Sequence, residues 1–142
     1  EDMDGKIDIF ISGIGTGGTV SGTGRYLKEK NSNIKIIGIE PENSAVISGK
    51  KAGEHRIQGI GAGFIPDIMD LKLLDEIYLA NDRSAIEASK MLASLEGIMT
   101  GISSGAALAC AIEQAKKTEN EGKNIVVILP DSADRYFSTE LF

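Results

Sequence analysis

The sequence predicts an α/β fold, an open and mostly parallel sheet with helices on both faces. Short strand-like runs recur at residues 7–11, 34–40, 76–80 and 124–129. Stretches with helical periodicity separate several of them, the alternation expected of a parallel sheet. Glycine makes up 17 of the 142 residues, and it clusters. Six glycines fall between Gly13 and Gly24, three between Gly59 and Gly63, and three between Gly97 and Gly105. Backbone without Cβ, gathered in three places, marks loops that approach a ligand closely.

The elements follow in order. Residues 7–11 form a strand that Ser12-Gly13 stops. Residues 20–30 read as a helix, with Val20, Tyr26 and Leu27 as its apolar positions and Asn31 at its close. The next strand, 34–40, carries Ile36, Ile37 and Ile39, a run suited to burial on both faces. A short helix is expected over 43–53, and mostly loop with local helical turns over 54–74. After the strand 76–80, Asn81-Asp82 caps a helix whose face is Ala85, Ala88, Leu92 and Leu95, and Gly97 ends it. Ser103-Ser104 caps a further helix to about Lys117, so apolar in its first turns that it should be deeply buried. Lys116 and Lys117 stand near its negative end. The last strand, 124–129, is broken by Pro130.

Composition narrows the function. Hydrophobic residues at 42% and charged residues at 25% are those of a packed globule, in a chain of a length suited to one domain. A net charge of -6, with no basic cluster, speaks against nucleic acid or an anionic membrane surface. No apolar run approaches the ~20 residues of a membrane span. Cys110 is the single cysteine and His55 the single histidine, so neither an internal disulfide nor a Cys/His metal centre is expected. His55 reads as a surface histidine, Cys110 as a small core residue, and Arg25 and Arg135 as solvated.

Two loops carry chemistry. Gly13-Ile14-Gly15-Thr16-Gly17-Gly18-Thr19 follows a strand and opens a helix. A helix N-terminus offers free N–H groups and partial positive charge to a phosphate, and the Thr16 and Thr19 hydroxyls add donors. A plain strand-to-helix turn does not need four glycines in six residues. A Walker loop is ruled out because Thr19, not lysine, follows Gly18. The dinucleotide fingerprint remains a rival: Gly13, Gly15 and Gly18 satisfy its spacing, and Glu40 ends the next strand where a ribose-binding acid would stand. Against it, Thr19, Ser21, Gly22, Thr23 and Gly24 leave the first helical turns polar and thin. The second loop, Gly101-Ile102-Ser103-Ser104-Gly105, sets two hydroxyls at the start of the buried helix. One serves as cap. The other can hydrogen-bond an aromatic ring nitrogen without forcing a full positive charge on it.

Residues 15–19, the segment Gln58-Gly59-Ile60-Gly61-Ala62-Gly63-Phe64-Ile65-Pro66, the run Gly101 to Ala107 and the closing residues 134–142 together resemble the cysteine synthase (O-acetylserine sulfhydrylase) family. These are pyridoxal-phosphate enzymes of fold type II, and the resemblance covers essentially the whole chain. It implies that Gly15, Thr16, Gly17, Gly18 and Thr19 bind the phosphate of pyridoxal 5'-phosphate and that Ser103 faces the pyridine nitrogen. It further implies that Gln58, Gly59, Ile60 and Gly61 line the substrate entrance. The implied reaction replaces the acetate of O-acetylserine with sulfide, giving cysteine. A cystathionine β-synthase-like β-replacement enzyme would share the same loop and serine. The family's Schiff-base lysine lies in an N-terminal half that has no counterpart here, and none of the eleven lysines matches its motif. The expectation is therefore one phosphate-binding α/β domain over 1–142, the C-terminal portion of a two-domain enzyme, inactive alone. The resemblance also implies a cytoplasmic homodimer that receives the C-terminal tail of serine acetyltransferase.

Overall fold

The computed structural model describes residues 3–141. Four parallel strands form one sheet: β1 (Ile9–Gly13), β2 (Lys35–Pro41), β3 (Glu76–Ala80) and β4 (Ile125–Val127), in the order β3-β2-β1-β4. Ile11 is flanked by Ile37 on one side and Val127 on the other. Helix α1 (Gly18–Lys30) follows β1, and α2 (Asp82–Glu96) and α3 (Ile102–Ala115) both lie between β3 and β4. The predicted fold class holds, with helices on both faces.

Side-chain alternation along the strands builds two cores. Ile9, Ile11, Ile37 and Ile39 point to the face covered by α3, against Ala106, Ala107 and Cys110. Phe10 and Ile36 point to the other, against Val20 of α1 and Met69. β2 is buried on both faces, as its isoleucine run predicts, with Ile36, Ile37 and Ile39 wholly inaccessible. In a parallel sheet the residues that follow every strand emerge at the same edge. β1 is the strand from which the chain turns to β2 on one side and, later, to β4 on the other. A ligand crevice belongs at the carboxyl end of such a strand.

Several local expectations are corrected. The helix expected over 43–53 is only a 3₁₀ turn at Glu42–Ser44. The buried Glu40 carboxylate accepts the amides of Ile47 and Ser48, both at 2.9 Å. Those amides would have closed helical bonds, so a tertiary acceptor displaced the helix. Asn81 caps α2 as predicted, accepting the Arg83 amide at 2.9 Å, and Gly97 ends it in a left-handed conformation. The face of α2 is nevertheless Ala85, Ala88 and Ser89, while Leu95 is 71% exposed. Close contact with α3 falls at Gly105, beside Ala85 and Ser89. Ser103 and Ser104 are not caps; Gly101 holds that position, and both serines lie within the first turn of α3. Tyr26 is exposed on α1, with Lys30 Nζ over its ring. β4 covers three of the six residues expected.

The core carries a signature at high pH. Burial, reinforced by Glu76 and Glu113, pushes the Cys110 thiol up to about 12. Burial and a hydrogen bond to Asp131 push the Tyr136 phenol up to about 12. Tyr78, partly buried and donating to Glu113, is raised as well. Each group is held neutral by the fold, so its contribution is complete below the unfolded value and is lost as pH climbs to the folded one. Those lower bounds are 9.0 for the thiol and 10.0 for the phenols. The urea midpoint should therefore fall between pH 9 and pH 12. Cys110→Ala should flatten the first part of that fall, and an unchanged midpoint up to pH 12 would contradict the assignment.

Candidate cofactor site

The loop between β1 and α1 is shaped by contacts at two glycines. A Cβ on Gly15 would lie 2.5 Å from the carbonyl oxygen of Gly59, so this loop presses directly on the second glycine segment. The Gly61 amide donates to the Ile14 carbonyl at 3.2 Å and ties the two together. Gly17 is the N-cap of α1, with φ 83, and a Cβ there would meet Met69 Sδ at 2.7 Å. A left-handed N-cap aims the first amides of α1 out over the carboxyl edge of the sheet. Gly17 offers no side-chain cap, and no acidic residue lies in the first turn. Only Gly18 N reaches a partner within the loop, the Thr16 hydroxyl at 3.4 Å. Open amides, helix dipole and exposed threonine hydroxyls make a cradle for a phosphate dianion.

This cradle opens on a cavity of ≈ 610 Å³. Gly15, Thr16, Gly59 and Ile60 line it from the two loops, with Phe64, Pro66 and Ile68 forming an apolar wall. Gly15, Thr16, Gly59 and Ile60 thus lie on the wall of one cavity. Gln58 is exposed beside them and Gly61 underlies them, neither on the wall. No lysine lines this cavity.

Ser103 stands apart from the cavity wall, on the face of the sheet opposite α1. It is 5% exposed, at the first turn of α3, where the N-terminus of that helix meets the carboxyl edge. Its hydroxyl donates toward Asp131 Oδ1 at 3.4 Å. Ser104 donates to the same oxygen at 2.6 Å, and the Tyr136 hydroxyl donates to Oδ2. The sequence reading missed Asp131. Its only signal was its place immediately after Pro130, where β4 has ended.

Glu40 settles the rival dinucleotide reading on geometry. The strand order itself is shared with dinucleotide-binding folds, so topology does not discriminate. Glu40 is 1% exposed, and both its oxygens are engaged by the backbone at 47 and 48. It is not free to receive ribose hydroxyls. His55 is also corrected. It is half-buried rather than at the surface, and its Nε2–H donates to the Gly61 carbonyl at 3.1 Å. It pins the entrance segment. Among the described residues no group of three His, Cys, Asp or Glu side chains could hold a metal ion. No described helix is long and apolar enough to cross a membrane.

Comparison with known proteins agrees with this geometry. The family model of pyridoxal-phosphate dependent enzymes matches residues 1–131. The chain belongs to that family, whose cofactor is pyridoxal 5'-phosphate. It is 47% identical, over its whole length, to the cysteine synthase of Staphylococcus aureus strain Mu50, and covers 46% of that protein. Among solved structures, it superposes on a cysteine synthase from Entamoeba histolytica with a TM-score of 0.98 and 50% identity. That match covers 99% of this chain and 42% of the other. An O-ureido-L-serine synthase superposes with a TM-score of 0.92 at 35% identity, covering 96% of this chain and 43% of the other. The chain thus spans less than half the length of the relatives it matches.

Proposed function

We propose that this chain is the C-terminal, phosphate-binding portion of a cysteine synthase, exchanging the acetate of O-acetylserine for sulfide. The observation that carries the reading is the uncapped N-terminus of α1, opened by left-handed Gly17 and pressed through Gly15 onto Gly59. Nothing but a group without side-chain bulk fits at those two positions, and what the cradle offers is N–H. Its residues fit the family's cofactor. Gly15, Thr16, Gly17, Gly18 and Thr19 would hold the phosphate, and Ser103 the ring nitrogen. Gln58, Gly59, Ile60 and Gly61 would border the entrance for the amino-acid substrate. When bound, the cofactor supplies the electron sink for β-elimination, and the protein supplies orientation and electrostatics.

The chain's own residues perform a limited part. The α1 amides anchor one end of the cofactor, the apolar wall at Phe64, Pro66 and Ile68 keeps water off its flank, and His55 holds the entrance backbone in place. A Schiff-base lysine is not among them: the ionisable side chain on the cavity wall is the Asp67 carboxylate, which cannot form an imine. In the full enzyme that lysine comes from the N-terminal half. The parent enzyme, in this reading, is a cytoplasmic homodimer whose completed cleft receives the tail of serine acetyltransferase; the 142 residues alone do not.

The test is an assay of cysteine formation from O-acetylserine and sulfide. The 142-residue chain alone is expected to show none. Joined to the N-terminal portion of the 47%-identical Staphylococcus aureus enzyme, it should form cysteine. Turnover by the isolated chain would overturn the division of labour, and a joined protein that folds without forming cysteine would overturn the substrate assignment.

A further inference from the structure

Residues 136–141 return to the entrance segment and meet it at two adjacent positions. The Glu140 carboxylate accepts a hydrogen bond from the Arg56 guanidinium. Leu141, the next residue, is 0% exposed and lies in one apolar cluster with Ile57 and Ile60, both buried. The ion pair joins 56 to 140, so it sets Leu141 down alongside Ile57. The returning segment has a fixed shape of its own. The Tyr136 hydroxyl is held by Asp131, and the Thr139 amide and hydroxyl both donate to the Tyr136 carbonyl, at 2.9 and 2.7 Å. The Leu141 amide donates in turn to the Thr139 hydroxyl at 3.3 Å.

Gln58 and Gly59 stand between the two buried isoleucines. Their backbone moves only if Ile57 or Ile60 moves. Ile60 reaches the site itself: it lines the cavity, and its Cγ2 would lie 2.9 Å from a Cβ on Gly13. The bond from Gly61 to Ile14 is the segment's one hydrogen bond to the β1–α1 loop among the described residues. The bond from His55 to Gly61 ties the segment's two ends to each other and does not hold it against the sheet. Apolar packing from behind supplies that hold. Arg56 and Glu140 are 64% and 48% exposed, and an exposed ion pair contributes far less than a fully buried leucine. We propose that Leu141, which is not on the cavity wall, is a positioning residue. Seated with Ile57 and Ile60, it keeps the Gly59 backbone against the cofactor loop and so sets how tightly the entrance takes the amino-acid substrate. The substrate role of residues 58–61 rests on the function proposed above; the packing link does not.

Hydrogen exchange of the Gly61 amide reads the link in the 142-residue chain, with the Ile37 amide of β2 as the reference for the fold as a whole. Leu141→Ala should speed exchange at Gly61 at least about 10-fold more than at Ile37, a local opening and not a global one. Leu141→Val, a smaller deletion that guards against loss of the fold, should show the same selectivity at about 3-fold. Leu141→Met keeps the volume and should restore most of the native protection. Glu140→Gln should change Gly61 exchange by less than about 3-fold. The functional arm uses the enzyme completed with the N-terminal portion of the Staphylococcus aureus relative, saturated with pyridoxal phosphate. There Leu141→Ala should raise KM for O-acetylserine by about 5-fold and lower kcat by less than about 2-fold. Exchange at Gly61 and Ile37 that rises in step makes Leu141 an ordinary core residue and overturns the proposal. An unchanged KM in a Leu141→Ala enzyme that turns over does the same. A completed native enzyme that forms no cysteine contradicts the function reading instead, and Gly61 exchange still decides the link.

Discussion

Gly105→Ala is expected to lower the urea midpoint of this chain sharply, although alanine is the better helix former. The added methyl gains about 1 kcal/mol of helix propensity. It also lands inside the contact shell of the Ala85 carbonyl oxygen, and 3.0 Å from both the Ala85 carbonyl carbon and Ser89 Cβ. Those atoms belong to the backbone and buried face of α2, so no side-chain rotation makes room. Moving one helix costs the packing of Ala85 and Ala88, both buried, and the Ser89 hydroxyl bond to the Thr100 carbonyl at 2.7 Å. Forced overpacking of this kind outweighs propensity, and a net loss of about 3 kcal/mol is expected. Chemical denaturation followed by circular dichroism measures it. A variant as stable as the native chain would mean that α2 and α3 do not touch there.

The second large effect is on binding. Gly15→Ala should weaken pyridoxal-phosphate binding by about 100-fold, the consequence of losing roughly two hydrogen bonds to a charged group. The new Cβ would be 2.5 Å from the Gly59 carbonyl oxygen, again backbone. The loop can yield only by lifting off the 58–63 segment, which turns the α1 amides away from the cradle and breaks the Gly61–Ile14 bond. The sheet lies beneath and is untouched, so stability should fall far less than affinity. Equal losses of both would show that the loop is structural and not a binding element.

What the sequence made legible was what local chemistry decides. β3 and the Asn81 cap needed only a short apolar run and an Asx side chain, and they stand where expected. The glycine loop between β1 and α1 was legible as an open helix N-terminus because glycines after a strand and before a helix have few other uses. That Gly15 meets Gly59, 44 positions on, was not, because nothing local records which segment a glycine lets in. The residues 43–53 carry helix-compatible side chains, but Glu40 claims their amides from outside the segment. One of the two serines reads as a cap, yet Gly101 holds that position, and Asp131, 27 residues after Ser104, takes up both hydroxyls from outside the segment. Leu95 kept helical spacing on α2, yet the neighbouring helix does not cover its last turn. These misses share one ground: which long-range partner reaches a residue, or fails to, is not recorded in its local sequence.

The central claim is that α1 and its glycine loop hold the phosphate of pyridoxal 5'-phosphate. The most direct measurement is a titration of the ¹⁵N-labelled chain with pyridoxal phosphate and, in parallel, with NADH, following the amides of residues 13–19. The account predicts saturable shifts at Gly15, Gly17, Gly18 and Thr19 with pyridoxal phosphate, and none at those residues with NADH. Shifts with NADH alone, or silence with both, would contradict it.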